Sequence, residues 1–305
     1  MDINNEKHYF DKLLDIIYKR LAINCRQYNE AYIKRRLNAR ITANDLEANN
    51  YSAYIDILEK KTEELRTLFD ALTINVTKFF RDKKLWNYLK SVVFPQVISE
   101  KKTGFDNVIT VWSCGCSSGE EPYSIAILLS ELVGNNRFMI RVTASDIDEL
   151  SLEKARNAVY STESLTEIPK EYVDKYFLKI ENKDLYKVTD RIKTLVFFKR
   201  QDLFTAESSN TKYDIIFCRN VIIYFTAEAK ERLVNMFYKS LNDNGWLVIG
   251  ESELLFEKHL KCKFYLFDEK ERMYRRERRI YQEKIEVERR KRWWFGYPPK
   301  PQDLI

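Results

Sequence analysis

The period of the apolar positions changes along the chain, and the changes divide it. Up to about residue 74 they recur at helical spacing: Phe10, Leu13, Leu14, Ile17 and Leu21 lie within residues 4–22, and similar patterns occupy about 29–41, 51–60 and 62–74. This predicts an all-α N-terminal domain over residues 1–82. Residues 83–104 then read as a linking helix with Trp86, Leu89, Val93 and Phe94 on its apolar side, ending at Gly104. From 105 to 276 short apolar runs alternate with amphipathic stretches, the signature of an α/β sheet. A hairpin pattern, FLKI and LYKV around the turn ENKD, interrupts it between 169 and 195, before the strand LVFFKR resumes. A strand at 246–250 and an antiparallel pair, FYLF and RMYRR, are expected to close the sheet.

The chemistry begins at 111–129, VWSCGCSSGEEPYSIAILL, which reads as a buried strand, a turn and an amphipathic helix. Gly115 and Gly119 let the chain turn tightly at the carboxyl end of the strand, where open α/β sheets bind ligands. Glu120 and Glu121 in the first helical turn would repel a nucleotide phosphate, so a neutral or cationic ligand such as S-adenosylmethionine fits better. An ordinary βα turn would carry the same acids. A second strand, FMIRVTASDID at 138–148, ends in Asp146, the position that accepts hydrogen bonds from ribose hydroxyls in nucleoside-binding sheets. The alternative is that Asp146 caps the helix at 150–158, a task that Asp148 or Ser151 serves equally well. A third strand, KYDIIFCRNVIIYF at 212–225, delivers Arg219 and Asn220 to the same edge.

Four segments, NVTKFFRD at 75–82, WSCGCSSGEEPYS at 112–124, ASDID at 144–148 and FCRNVIIYF at 217–225, resemble in order and spacing the chemotaxis receptor methyltransferases, the CheR family. The resemblance runs from about residue 8 to 275. It implies a helical domain before a Rossmann-like S-adenosylmethionine-binding α/β domain with a small β-subdomain, and a glutamate methyl ester on a chemoreceptor as product. By matching position it places Asn75, Thr77, Arg81, Glu121, Asp146, Asp202, Leu203, Arg219 and Asn220 at the cofactor, with Arg81 and Tyr224 beside the methyl acceptor as catalytic residues. Cys114 and Cys116 replace the small residues usual in the family, and Asp202 a frequent asparagine.

Composition is consistent with this reading. The chain is 45% hydrophobic and 32% charged, enough for sizeable cores, with no apolar run near the ~20 residues that cross a bilayer. The polar start MDINNEKHYF has no signal-peptide pattern, so a cytoplasmic protein, associated with membranes through receptors, is expected. Cys25, Cys114, Cys116, Cys218 and Cys262 read as reduced thiols; the Cys-x-Cys pair lacks partners for zinc, so no metal is expected. His8 and His259 sit in charged, helix-like surroundings and offer no triad. Methyl transfer to an already ionised glutamate needs neither metal nor histidine.

Partners are suggested by charge. On YIKRRLNARI, Lys34, Arg35, Arg36 and Arg40 are expected on a face opposite Ile33, Leu37 and Ile41, either simply solvated or, as the resemblance implies, set against the acidic helical cytoplasmic region of a receptor. The family's β-subdomain docks a receptor C-terminal peptide in some members, but the turn here has no glycine. Residues 272–292 hold ten Arg and Lys against four Glu, a net +6 that equals the charge of the whole chain. The tail 277–305 therefore reads as a helix folded back on the domain, a contact for an anionic membrane, or a nucleic-acid arm. The chain is expected to be a monomer. A non-catalytic cofactor-sensing module of the same fold is the alternative function, and an RNA methyltransferase, resting only on the tail, the weakest.

Overall fold

The computed structural model describes residues 3–73, 75–102, 107–134, 138–205, 211–253, 264–268 and 270–276. Gly104, His259, Cys262 and the tail 277–305 lie outside them. The helical domain comprises α1 (Ile3–Leu21), α2 (Glu30–Ala43), α3 (Tyr51–Lys60) and α4 (Thr62–Leu72). Phe10, Leu13, Leu14 and Ile17 of α1 pack on Ile33, Leu37 and Ile41 of α2 and on Tyr54, Leu58, Leu65 and Leu68 of α3 and α4. Asn29 and Asn50 start α2 and α3 by accepting the N–H of Ala31 and Ala53, donors that no preceding turn supplies with partners.

Arg40 departs from the expected exposed face. Its Nε and Nη2 donate to Glu64 Oε1 at 3.0 Å and Oε2 at 2.6 Å, and the Tyr54 hydroxyl donates to Oε1 at 2.6 Å. The guanidinium therefore belongs to an internal bridge between α2 and α4. Burial pushes the Glu64 carboxyl up, but its bonds to Arg40 and Tyr54 prevail and hold it below the ordinary glutamate range. The stability this contributes is present above that range and lost as pH falls through the lowered value. Arg40→Ala is expected to cost about 2 to 3 kcal/mol, because it strips a nearly buried carboxylate of its cation. Lys34→Ala, which removes an exposed bridge to Glu30 and a cation–π contact 5.1 Å from the Phe10 ring centroid, should cost about 1 kcal/mol or less by urea unfolding.

The expected linking helix is three consecutive pieces: α5 (Lys83–Tyr88), a π-helical turn (Leu89–Val93) and α6 (Phe94–Lys102). Trp86, Leu89, Val93 and Phe94 are buried in the core of the α/β domain, so the segment is part of that core. The central sheet is built from β1 (Val108–Cys114), β2 (Met139–Asp146), β6 (Val196–Arg200), β7 (Tyr213–Cys218), β8 (Leu241–Ile249), β9 (Phe264–Asp268) and β10 (Met273–Arg276), in the order β6-β2-β1-β7-β8-β10-β9. Parallel pairing holds from β6 to β8, and β10 runs antiparallel to both β8 and β9. Helices α7 (Glu120–Val133), α8 (Glu149–Asn157) and α11 (Ala227–Ser240) pack alongside. The chain winds outward from β1 to β2 and β6, then returns to lay β7 on the other flank of β1. This reversal opens a crevice at the carboxyl ends of β1 and β7.

Alternation along the strands separates the two faces: Ile109 and Val111 enter the core with Trp86 and Phe94, while Trp112 and Cys114 enter that of Phe237 and Leu233. The expected hairpin is β4 (Phe177–Lys179) and β5 (Leu185–Val188), with Phe177 opposite Val188. A third strand, β3 (Val159–Ser161), to which residue patterning assigns no element, pairs with β5. Asn182 supplies the left-handed turn residue, φ +58°, in place of glycine. Short helices α9 (Lys170–Tyr176) and α10 (Asp190–Lys193) flank this hairpin. β8 begins at Leu241, five residues earlier than its apolar run. Part of the C-terminal basic excess is also engaged: Arg275 pairs with Glu100, and Arg276 with Asp243 at 3.4 Å, at the far side of the sheet.

Candidate functional site

The β1–α7 turn is closed by main-chain bonds to the neighbouring strand. Gly115 and Cys116 donate to the Ser145 carbonyl at 2.8 and 3.1 Å, with Gly115 at φ +68°. A Cβ on Gly115 would lie 2.5 Å from Val221 Cγ2, so glycine permits both the turn and the close approach of the chain after β7. Asp146 then ties turn to strand: Ser117 N–H donates to Oδ2 at 2.7 Å and Asp148 N–H to Oδ1 at 2.9 Å. Helix α8 is capped by Asp148, which accepts from Leu150 N–H at 3.0 Å, from the Asn75 amide at 2.7 Å and from Ser151 Oγ at 2.6 Å. Asp146 is thus not the cap. Each of its oxygens retains a further lone pair. Burial pushes its pKa above the ordinary aspartate value despite the main-chain bonds.

Beside this turn lies a pocket of about 700 Å³ that includes its solvent-open mouth. Of the sequence-predicted residues, Asn75, Asp146, Asp202, Leu203, Asn220 and Tyr224 line it. Asp202 accepts from Phe204 N–H at 2.9 Å and is pushed up by burial, while Asn220 takes φ +60° where β7 ends. Glu121 and Arg219 form a separate cluster alongside. Arg219, 6% exposed, donates to Glu121 Oε2 at 3.2 Å, to the Arg81 carbonyl at 3.3 Å and to Asp82; Ser113 Oγ donates to Glu121 Oε1 at 2.8 Å. Arg219 also borders a wider cleft with Lys83 and Glu251. Thr77 is half-buried and Arg81 turns its guanidinium onto the Val76 carbonyl at 3.1 Å; neither lines the pocket.

The remaining wall comes from the helical domain, through residues that composition and periodicity did not single out. Tyr28, Tyr32, Leu72 and Thr73 line the pocket. Tyr28 pairs with Phe225 as an isolated antiparallel bridge, Asn29 N–H donates to the Tyr224 carbonyl at 2.8 Å, and Thr226 N–H to the Gln27 carbonyl at 2.9 Å. The Tyr32 ring packs on Tyr224 at 4.8 Å and carries the Arg36 guanidinium over its own ring at 5.4 Å. Burial, then the neighbouring Cys25, Asp202, Tyr32 and Asp146, pushes the Tyr28 hydroxyl well above its usual range. At helical spacing Tyr28 and Tyr32 read as core, so only the docking of the two domains reveals their place.

The donor set decides what fits. Ser117 Oγ and Gln201 Oε1, both in the pocket wall, are buried without hydrogen-bond partners, positions that a hydroxyl- or amine-bearing ligand would satisfy. No lysine, arginine or histidine is among the described residues lining it, and two carboxylates are. A nucleotide phosphate would find no countercharge there. S-adenosylmethionine, with hydroxyls, a flat adenine and a net cationic end, suits a lining of two carboxylates and aromatic rings.

The family model described as CheR methyltransferase, SAM binding domain, matches residues 75–270, and that described as CheR methyltransferase, all-alpha domain, matches residues 8–73. The chain belongs to the CheR methyltransferase family. It is 33% identical over 260 residues to a chemotaxis protein methyltransferase of Borreliella burgdorferi, covering 84% of this chain and 91% of that protein. It is 30% identical over 252 residues to one of Listeria monocytogenes, covering 83% and 91%. With one of Vibrio parahaemolyticus it shares 36% identity over 204 residues, 66% of this chain and 72% of that one. The CheR α/β domain binds S-adenosylmethionine and the chain is a methyltransferase of chemotaxis. No helix among the described residues is long and apolar enough to cross a membrane.

Proposed function

We propose that this CheR-family chain transfers the methyl group of S-adenosylmethionine to glutamate side-chain carboxylates of chemoreceptors, and that the pocket between Asp146 and Tyr224 is where it does so. The observation that carries the reading is the composite pocket itself, with two carboxylates and no cation among the described residues lining it, and a tyrosine from each domain in contact. The cofactor supplies an electrophilic methyl on a sulfonium. The acceptor carboxylate is ionised near neutral pH, so the protein needs no general base and its task is alignment, which contributes up to about 7 to 11 kcal/mol in well-oriented reactions. Asp146 holds the ribose edge and Asp202 the neighbouring polar edge. Tyr224 donates its hydroxyl to the acceptor carboxylate, and Arg81, released from the Val76 carbonyl, grips one acceptor oxygen and leaves the other free to attack.

The same reading extends to the receptor. Arg35 is exposed and Arg36 leans on the tyrosine that supports Tyr224, so the basic part of α2 adjoins the acceptor position, as an acidic receptor helix would require. Lys34 is paired locally with Glu30, and Arg40 is taken out of this set by Glu64.

Incubation with methyl-labelled S-adenosylmethionine and receptor-containing membranes, followed by mild alkali, should release volatile methanol, which carboxyl methyl esters yield and methylated bases do not. Tyr224→Phe keeps the ring contact with Tyr32 and removes only the hydroxyl. It should lower turnover about tenfold or more while leaving cofactor affinity within about threefold. Wild-type turnover would leave the hydroxyl without a role.

A further inference from the structure

The chain leaving β7 carries Asn220, Val221 and Tyr224 into the pocket, and a distant side chain holds it there. Glu253, 1% exposed, directs both carboxylate oxygens at this segment. Its Oε1 accepts the N–H of Val221 at 2.8 Å, Ile222 at 2.7 Å and Ile223 at 3.3 Å. Its Oε2 accepts the N–H of Asn220 at 3.0 Å and of Gly250 at 2.6 Å. Four consecutive main-chain donors and one from the end of β8 thus converge on one carboxylate.

These donors have no main-chain alternative. They stand at the entrance to the single 3-10 turn Ile222–Tyr224, whose first N–H groups precede any intrahelical acceptor. Asn220 is also held at φ +60°, a conformation that costs free energy for a residue with a Cβ and persists only where its surroundings enforce it. Burial pushes the Glu253 carboxyl above the ordinary glutamate range, and the main-chain bonds, which favour its charged form, offset only part of that rise. Gly250 completes the arrangement, since a Cβ there would lie 2.8 Å from Glu253 Oε2 and 3.1 Å from Asn220 N.

We infer that Glu253 is a positioning residue for methyl transfer: its carboxylate collar on peptides 220–223 sets Asn220 at the cofactor and Tyr224 at the acceptor. The inference rests on the assignment of the pocket given above, and its test separates the two. Binding of S-adenosylhomocysteine by the full chain is measured by calorimetry, and receptor methylation at saturating S-adenosylmethionine gives kcat, both below each variant's melting midpoint. Glu253→Gln turns an amide N–H toward main-chain donors and should weaken binding and lower kcat, each by about tenfold or more, in a protein that remains folded. Glu253→Asp keeps the charge but is one methylene too short to reach every donor, and should fall between wild type and Glu253→Gln in both.

Gly250→Ala displaces the carboxylate without removing it and should shift both quantities in the same direction. It decides the matter if the Glu253 variants do not fold. A purely architectural glutamate would lower the melting midpoint and leave binding and kcat of the folded protein within about twofold, and that result overturns the proposal. Wild-type protein that binds S-adenosylhomocysteine yet esterifies no glutamate would instead remove the acceptor assignment and leave the binding comparison to judge Glu253.

Discussion

Arg219→Met should lower the unfolding free energy by about 3 to 5 kcal/mol, the usual cost of removing one partner from a buried charge pair. Arg219 is 6% exposed, and its guanidinium joins Glu121 on α7 to Asp82 and the Arg81 carbonyl before α5. Asp82 is 41% exposed at its side chain and can turn to solvent, whereas Glu121, at 14%, would keep only Ser113 as partner. The penalty therefore falls on Glu121, and Glu121→Gln in the same chain should recover a kcal/mol or more, measured as coupling in a double-mutant cycle by urea unfolding. Loss of the bond to the Arg81 carbonyl also frees the main chain that carries Arg81, so turnover should fall further than stability alone accounts for. An Arg219→Met protein with a wild-type urea midpoint would mean that the buried cluster contributes nothing.

Asp146→Ala should weaken S-adenosylmethionine binding by about 1.5 to 3 kcal/mol, the range for hydrogen bonds to a charged group. The main-chain bonds to Ser117 and Asp148 make this a double loss, of the ribose acceptor and of the anchor between the glycine turn and β2. Affinity should also depend on pH in a defined sense. The ionised carboxylate is the better acceptor for two hydroxyls, and burial raises its pKa, so wild-type affinity should start to fall at a higher pH than an exposed aspartate would give as the solution is acidified. Calorimetry across that range, with Asp146→Asn as the non-titrating control, checks both. Unchanged affinity in a folded Asp146→Ala protein would remove Asp146 from the site.

The legible part of the site was the part made by local geometry. A glycine turn at a strand end, an acid closing the next strand, and Asn220 closing β7 are all read from residues within a few positions of one another. The topology of parallel strands does the rest, because the carboxyl ends of adjacent strands must share one edge. Tyr224 entered through resemblance, and its neighbour Tyr32 did not, since a tyrosine at helical spacing is indistinguishable from core until a second domain arrives. Arg40 shows the converse. A basic residue on an amphipathic helix was placed toward solvent by its spacing, yet an acid on α4, 24 residues away, draws it inward.

The sequence by itself determined the all-α and α/β halves, the hairpin subdomain, the crevice edge and the acidic, phosphate-hostile glycine turn beside it. Each follows from period, turn residues and the sign of nearby charge, quantities set within one element or between consecutive ones. Only the tertiary structure decided which charges pair and which loops are held: Arg219 with Glu121 across 98 positions, Glu253 with the main chain after β7, and Tyr28 and Tyr32 as pocket wall. Such partners are chosen by the packing of elements remote in sequence, where a carboxylate out of water must find donors wherever the fold brings them, and no local pattern of residues records that choice.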